Sequence, residues 1–301
     1  MHIAPIFSLI FNTLAAFTAA ILALNLAAAL TLSIYLCRPR KRTYLDDYVF
    51  TPFETGVAFE PVSFRTGDGI EIAGWWLVGR TNRVVVGLTG RSGIKSDLLG
   101  VGSGLARAGF HVLLFDFRGR GESEYSPLGM GRHEAADARA AVDYAAARLP
   151  DARIGMIGFS MGATTAILAA CEDPRIEALV LDSPFEDPDR LILRRLGSLF
   201  PVTRAVLLPA LARLWSRILF GSDIGDLDVP ARAGRIRAAK ALVVVSGNDS
   251  VIPPAQQRAV YEALACPKEL WVEPNADHCG TYFRDRGAYI RRVVDFFSTT
   301  P

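Results

Sequence analysis

The segment Arg153–Ala166 constrains the fold most strongly, because it joins an apolar run to a run of small residues through Gly158-Phe159-Ser160-Met161-Gly162. The apolar residues Ile154–Phe159 predict a buried β-strand, and the small residues after Ser160, continued by Ile167–Ala170, predict a helix. A serine therefore stands at a sharp turn between a strand and a helix.

The G-x-S-x-G spacing of this turn has a steric reason. A serine held in strained backbone geometry lifts its hydroxyl clear of the sheet, and side chains two positions before and after it would collide with the neighbouring strand and helix. Gly158 and Gly162 remove those side chains. The N–H of Met161, at the positive end of the helix, then faces any negative charge that develops beside Ser160. The alternative is a glycine-rich turn that merely packs a helix on a sheet.

The N-terminal segment Ile3–Cys37 contains no charged side chain and no glycine. About 20 apolar residues span a bilayer, so this segment has room for one membrane helix and not for two. Ala and Leu dominate the composition of this segment, which favours a helix.

A basic cluster, Arg38-Pro39-Arg40-Lys41-Arg42, follows at once. Such clusters stay on the cytoplasmic side, which predicts a single-pass membrane protein with its N-terminus outside and its main domain in the cytoplasm. A basic run that also grips acidic lipid headgroups is compatible with this topology. The competing interpretation is a cleaved secretory signal, with Ala27-Ala28-Ala29 as the cleavage site, although a positive n-region is missing and the apolar run is long.

After the anchor, strands and helices alternate, which predicts an α/β protein with a mainly parallel, doubly wound sheet. An antiparallel hairpin is expected first, since two alternating runs flank the turn Thr66–Gly69. The further predicted strands are Arg83–Thr89, His111–Phe117, Ile154–Phe159, Ile176–Asp182, Lys240–Ser246 and Glu269–Glu273. The predicted helices are Lys95–Ala108, Glu134–Leu149, the helix that ends near Glu172, Pro254–Leu264 and Tyr282–Phe297.

One segment, Asp187–Ala239, breaks this alternation with apolar residues at helical spacing and interspersed arginines. We expect a helical cap inserted over the carboxyl ends of the strands, either facing a membrane or an acyl chain or consisting of ordinary core helices. The predicted organisation is an anchor with its basic flank over residues 1–42, a linker over 43–55, and one domain over 56–301 with the cap at about 187–239.

The net charge and the cysteine pattern bear on whether the protein binds nucleic acid or a metal ion. The formal net charge of +2 gives no indication of nucleic-acid binding. Cys37, Cys171, Cys266 and Cys279 form no metal-binding pattern. Cys279 follows a histidine, so it is either a reactive thiol or a buried bystander.

A serine hydroxyl needs a base within hydrogen-bond reach to act as a nucleophile. Of the four histidines, His2 lies in the anchor, His111 opens a strand at the opposite edge of the sheet, and His133 starts a helix. Only His278 lies in a loop after a C-terminal strand, at the edge where Ser160 is expected. His278 is therefore the predicted base.

The base needs a carboxylate to orient it. Asp249 follows the strand Lys240–Ser246 and gives the chain order serine, acid, histidine that accompanies this kind of turn. Asp182, at the end of the preceding strand, is the serious rival. Asp277 is a weaker one, because a side chain adjacent to His278 should point elsewhere.

Two backbone N–H groups are expected to stabilise a developing oxyanion. One is that of Met161. The other should come from the loop Thr89-Gly90-Arg91 after a Val-rich strand, where Gly90 allows close approach and the Arg91 N–H donates, with Ser92 or Gly90 as alternative donors.

Four separated motifs together resemble the α/β-hydrolase superfamily, and in particular the membrane-anchored serine-aminopeptidase-type hydrolases. They are the serine turn, Asp116-x-Arg118-Gly119-x-Gly121-x-Ser123, Gly247-x-Asp249-x-x-Ile252-Pro253, and Asp277-His278. The resemblance covers about Val57–Phe297 and implies an α/β-hydrolase fold of about eight strands with a triad of Ser160, Asp249 and His278. One departure is Thr89-Gly90, where such families commonly carry His-Gly, and it leaves the oxyanion geometry open.

These observations predict a membrane-anchored serine hydrolase that cleaves carboxylic ester or thioester bonds without a metal or cofactor. The expected substrate is a small-molecule or lipid-like acyl compound. The alternatives are a serine peptidase of aminopeptidase type, for which Glu122 is a candidate amine-binding group, and a tethered binding domain without catalysis.

Overall fold

Strand and helix alternate in the computed structural model, which describes residues 4–39, 50–188, 190–191, 207–225 and 227–299. The strands are β1 (Phe59–Arg65), β2 (Glu71–Leu77), β3 (Arg83–Leu88), β4 (His111–Phe115), β5 (Arg153–Phe159), β6 (Ile176–Asp182), β7 (Lys240–Ser246) and β8 (Lys268–Glu273). The helices are α1 (Ala4–Cys37), α2 (Leu99–Arg107), α3 (Glu134–Arg148), α4 (Met161–Glu172), α5 (Leu207–Phe220), α6 (Val229–Ala233), α7 (Pro254–Ala263), α8 (Thr281–Arg284) and α9 (Arg286–Ser298), with a 3-10 turn at Lys95–Leu98.

The eight strands form one sheet in the order β1-β2-β4-β3-β5-β6-β7-β8. β1 and β2 are the predicted hairpin, β2 pairs antiparallel with β4, and every other neighbouring pair is parallel. The mainly parallel sheet predicted from the sequence is confirmed. Because parallel strands end at one edge, β3, β5, β6, β7 and β8 deliver the loops that follow them to the same side of the molecule.

Helices cover both faces of the sheet, as parallel sheets require. One core lies under α3, α4, α6 and α7. The other lies under α2 and α9, where Tyr289, Val293 and Phe296 are buried. This burial on both faces explains why the central strands are apolar along their whole length.

Two predicted helices differ in detail from the structure. The segment predicted as one helix from Lys95 begins as the 3-10 turn before α2. The predicted last helix is interrupted at Asp285, whose backbone is extended and whose carboxylate accepts the Ala288 N–H at 2.9 Å to cap α9. A capping aspartate satisfies a free N–H at a helix start, so the break is a local consequence of this residue.

The segment predicted as a cap contributes α5 and α6, while residues 189, 192–206 and 226 lie outside the described residues. α6 buries Val229 and Ala233 in the core beside the sheet, as an ordinary core helix does. α5 packs instead against α1, in a separate cluster that includes Ala29, Leu208 and Ala212. The domain boundaries given above stay predictions.

The N-terminal helix α1 is long and apolar enough to cross a membrane, a test that signal sequences also pass. Residues 40–49, which include most of the basic cluster and of the predicted linker, lie outside the described residues. The topology therefore remains a prediction.

Candidate active site

Ser160 stands between β5 and α4 in a strained conformation, with φ 54° and ψ −118°. Its N–H donates to the Asp182 carbonyl at 2.8 Å, and its own carbonyl accepts the Thr164 N–H at 3.1 Å. A non-glycine residue with positive φ is costly and persists only where its surroundings impose it. Here the neighbouring strand and the new helix hold the residue from both sides.

The two flanking glycines are sterically required. A Cβ at Gly158 would lie 2.4 Å from the Gly162 carbonyl oxygen, and a Cβ at Gly162 would lie 2.3 Å from the Leu88 carbonyl oxygen. The steric role predicted for both residues is confirmed. In contrast, a Cβ at Gly90 would meet Ser160 Cβ at 3.7 Å, which is ordinary contact. Gly90 therefore lies beside Ser160 without being compressed against it.

His278 reaches Ser160 from the loop after β8. Its Nε2 lies 2.9 Å from Ser160 Oγ, and its Nδ1 lies 2.8 Å from Asp249 Oδ2. The tautomer assigned from this network carries the proton on Nδ1, so that Nε2 accepts the serine O–H. The structure thus brings together the three residues that the sequence proposed as a triad.

Asp249 is held by more donors than the sequence suggested. Its Oδ1 accepts the N–H groups of Val251 at 2.8 Å and Ile252 at 2.7 Å. Its Oδ2 accepts from Gln257 Nε2 at 2.8 Å in addition to His278. The Asp249 side chain is fully buried, and these hydrogen bonds compensate for the loss of contact with water.

Gln257 is a residue that the sequence analysis missed. It is fully buried on α7, where its Oε1 accepts the Ser246 N–H at 3.0 Å and its Nε2 also donates to the Ile252 carbonyl at 2.9 Å. A glutamine on a polar helix carries no distinguishing signal in a single sequence. Its role follows only from the way α7 packs against the end of β7.

The two rival carboxylates have other partners. Asp182 is fully buried and accepts from Tyr289 Oη and Ser183 Oγ, each at 2.9 Å. Burial raises the pKa of Asp182 to about 6. Asp277 Oδ1 accepts the N–H groups of Ser250 at 2.8 Å and His278 at 2.7 Å, so it shapes the loop backbone.

The other two described histidines lie in structural positions. His111 Nδ1 accepts the Gly79 N–H at 3.1 Å at the start of β4. His133 Nδ1 lies 3.2 Å from the Pro127 carbonyl oxygen. Neither histidine lines the cavity beside Ser160.

A cavity of about 400 Å³ opens beside Ser160 and His278. Its apolar lining consists of Leu98, Val101, Phe159, Val251, Tyr282 and Phe283. The segment Thr89–Gly93 forms its polar side. An apolar cavity with a few convergent polar groups is typical of a small-molecule site.

The two proposed oxyanion donors, Met161 and Arg91, lie on different elements next to Ser160 and the cavity. Met161 is the first residue of α4, where N–H groups have no partner within the helix. Arg91 lies in the cavity wall on the loop after β3. Met161 thus adjoins Ser160 in the chain and Arg91 lines the cavity next to it, and their roles as oxyanion donors stay predictions.

Cys279 lines the same cavity, with Sγ 3.7 Å from His278 Nε2. Its N–H donates to Ser183 Oγ at 3.2 Å. Burial, followed by the charge of Asp182, raises the pKa of the Cys279 thiol well above its usual value. A protonated thiol is a poor nucleophile, which favours the interpretation that Cys279 is buried and takes no part in the chemistry.

The Asp116–Ser123 motif builds a loop and contributes no group to the cavity. Asp116 accepts from Lys95 Nζ at 2.6 Å, and Ser123 Oγ donates to the Asp116 carbonyl at 2.6 Å. Glu122, proposed as an amine-binding group, pairs with Lys95 Nζ at 2.5 Å and does not line the cavity. Among the described residues, no group of three or more His, Cys, Asp or Glu side chains is arranged to hold a metal ion.

Sequence comparison relates the chain to proteins of similar length. A family model described as alpha/beta hydrolase fold matches residues 84–219. The uncharacterized protein Rv2307c of Mycobacterium tuberculosis is 29% identical over 250 residues, covering 79% of each chain. An uncharacterized 31.7 kDa protein from the traX-finO intergenic region of Escherichia coli is 28% identical over 252 residues, covering 68% of this chain and 85% of that one.

Solved structures lead to the same fold. The Pyrococcus furiosus esterase Pf2001 superposes with a TM-score of 0.72 at 24% identity, covering 87% of this chain and 97% of that one. Est1E from Butyrivibrio proteoclasticus, solved with ferulic acid bound, superposes with a TM-score of 0.62 at 18% identity, covering 79% of this chain and 98% of that one. By its sheet order, its serine turn and these likenesses, the chain has the α/β-hydrolase fold.

Proposed function

We propose that this protein is a serine hydrolase that cleaves carboxylic ester or thioester bonds through Ser160, His278 and Asp249. The observation that carries the proposal is the hydrogen-bonded chain from Ser160 Oγ to His278 Nε2 at 2.9 Å and from His278 Nδ1 to Asp249 Oδ2 at 2.8 Å. Such a chain gives a serine hydroxyl the base and the oriented imidazole that nucleophilic attack requires.

In this mechanism Ser160 Oγ attacks the acyl carbonyl while His278 Nε2 takes the hydroxyl proton. The N–H groups of Met161 and Arg91 stabilise the tetrahedral oxyanion. His278 then gives the proton to the leaving alcohol or thiol, and an acyl-enzyme on Ser160 remains. Water, deprotonated by His278, attacks the acyl-enzyme, and the collapse of this second intermediate releases the acid and restores the Ser160 hydroxyl.

The apolar cavity supports an acyl substrate over a peptide with a free amine. The peptidase alternative calls for an acidic group in the cavity, and Glu122 is paired with Lys95 outside it. Asp97 lines the cavity, but its Oδ2 accepts the Ile94 N–H at 3.0 Å and caps the 3-10 turn. The Pyrococcus furiosus esterase Pf2001, which has the same fold, supports an ester as the substrate class.

A fluorophosphonate probe on the full-length protein in detergent tests this proposal. We expect one adduct on Ser160 by mass spectrometry, absent in Ser160→Ala and His278→Ala. Ser92→Ala is the matched control, since it removes another serine hydroxyl from the cavity wall and should keep the label. A folded wild-type protein that stays unlabelled would favour the tethered binding domain without catalysis.

We further propose that α1 anchors the protein in a membrane, with the catalytic domain on the cytoplasmic side. The length and apolarity of α1 and the basic cluster that begins at Arg38 support this topology. Retention in the membrane pellet after carbonate extraction tests the anchor. Mass spectrometry of the mature N-terminus distinguishes the anchor from a cleaved signal.

A further inference from the structure

The burial of α1 divides the helix into two parts. Every described side chain over Ile6–Leu24 is exposed apart from Ile21, which is half-buried. From Asn25 to Cys37 one face is buried, with Asn25, Ala29 and Ser33 each four residues apart. A four-residue spacing places these side chains on a single helix face, so the second part packs against the protein as an ordinary amphipathic helix does.

The lengths of the two parts fit different environments. At about 1.5 Å per residue, the segment from Ala4 to Leu24 is roughly 32 Å long, against a hydrocarbon core of about 30 Å. The whole of α1 would be roughly 51 Å long and exceeds the bilayer core. The exposed first part is therefore sufficient for a span, and the remainder is available to the catalytic domain.

Specific contacts join the second part of α1 to the domain. Ser33 Oγ donates to the Ala212 carbonyl on α5 at 2.7 Å, and the Cys37 carbonyl accepts the Leu128 N–H at 2.9 Å. Ala29 and Cys37 are fully buried in the cluster that α1 forms with α5. Small residues at the contact allow close approach of α1 and α5, so the end of α1 has a defined place in the domain.

Tyr35 extends this contact to the active-site loop. The Arg91 guanidinium carbon lies 4.4 Å from the centre of the Tyr35 ring, and Arg91 Nη2 donates to Tyr35 Oη at 2.5 Å. Arg91 Nη1 donates to the Tyr35 carbonyl at 3.4 Å. The Arg91 guanidinium thus holds the loop to α1, and the same residue lines the cavity beside Ser160.

We propose that Tyr35 is a positioning residue, through which the anchor helix holds the Arg91 N–H where an oxyanion develops. This inference rests on the proposed function, because it assigns to α1 a part in that reaction. A loop that carries an oxyanion donor must be fixed before the reaction, since a donor that reorients during the attack stabilises the transition state less. The membrane anchor is then a component of the catalytic site and more than a tether.

The test compares four full-length variants in the same detergent with a soluble short-chain ester. Tyr35→Ala and Arg91→Ala both break the contact, and Arg91→Ala keeps the backbone N–H. We expect each to lower kcat roughly three- to tenfold with KM and thermal unfolding unchanged. The double variant should lose no more than either single one, because both remove one interaction. Ile34→Ala, which truncates the exposed neighbour of Tyr35, should match the wild type.

Tyr35→Phe provides a milder variant if Tyr35→Ala unfolds, since it keeps the ring under the guanidinium and removes only the Oη acceptor. We expect a smaller loss of kcat from it. Unchanged kcat in Tyr35→Phe and Arg91→Ala, additive losses in the double variant, or losses confined to KM would overturn the inference. Absence of a fluorophosphonate adduct on wild-type Ser160 would instead refute the proposed function, so the two failures are distinguishable.

Discussion

Gln257 Nε2 donates a 2.8 Å hydrogen bond to Asp249 Oδ2, the same carboxylate oxygen that lies 2.8 Å from His278 Nδ1. The Gln257 amide also accepts the Ser246 N–H and donates to the Ile252 carbonyl, so the group that holds Asp249 is itself fixed by the backbone. The carboxylate that orients His278 is thereby itself oriented by α7.

Replacing Gln257 by leucine should lower kcat/KM roughly tenfold, because the freed carboxylate rotates and a buried N–H loses its acceptor. The measurement is steady-state hydrolysis of a short-chain ester across pH, where a displaced acid alters the pH profile as well as the rate. Gln256→Leu is the matched control, because Gln256 is also buried and its Oε1 has no hydrogen-bond partner among the described residues. Equal activity of the two variants would show that Asp249 needs no such support.

Gly162 and Gly90 should respond differently to alanine. Gly162→Ala forces a Cβ to 2.3 Å from the Leu88 carbonyl oxygen, and we expect a loss of about 2–4 kcal/mol in the free energy of unfolding. Gly90→Ala meets Ser160 Cβ at 3.7 Å and should fold with wild-type stability, while its methyl group narrows the site beside the serine and raises KM. Thermal unfolding and ester kinetics of the two variants check both statements. A stable Gly162→Ala protein with normal activity would contradict the steric reason given for the motif.

Titration of the Asp182 carboxyl should lower the free energy of unfolding as the pH rises. Burial raises its pKa to about 6, so the folded state favours the protonated form. The stabilisation is fully present below the unfolded pKa of about 3.9 and is lost as pH rises through the folded value. Asp182→Asn stays neutral, and we expect the stability difference between variant and wild type to increase in favour of the variant from pH 4 to 7.

Asp277→Asn is the control for that experiment, because the pKa of Asp277 is shifted in the opposite direction from that of Asp182. The N–H groups of Ser250 and His278 lower the pKa of Asp277, so its ionised form supports the fold and that support is lost as pH falls. Urea unfolding in detergent at a series of pH values measures both differences. A difference between Asp182→Asn and wild type that does not change with pH would show that Asp182 titrates normally.

Cys279 should be dispensable for hydrolysis. Its buried thiol stays protonated at neutral pH, and the proton relay from Ser160 to His278 does not pass through it. We expect Cys279→Ala to keep kcat within about threefold of wild type. Cys279→Gly is a useful companion, since the residue has a φ of 52° that glycine adopts without strain. A hundredfold loss in both variants would assign the thiol a role in the reaction.

Local sequence patterns predicted most of the fold because strand and helix periodicities are set by neighbouring residues. The strands Ile176–Asp182 and Lys240–Ser246 match β6 and β7 at both ends. The break at Asp285 was missed, since its capping bond to Ala288 is decided by how the chain enters α9. Ser160 and His278 could be predicted from the sequence because the motif and the chain order restrict each of them to one position.

The sequence by itself therefore determined the order of the elements, the serine turn, and the identity of the residues proposed to act there. Only the tertiary structure puts Asp249 within hydrogen-bond distance of His278 and joins Asp182 to Tyr289, because both aspartates follow buried strands at the same sheet edge and no local pattern separates them. It also brought Gln257 to Asp249 and Tyr35 to Arg91. Contacts between residues far apart in the chain leave no local pattern, since they depend on how whole helices pack against the sheet and against each other.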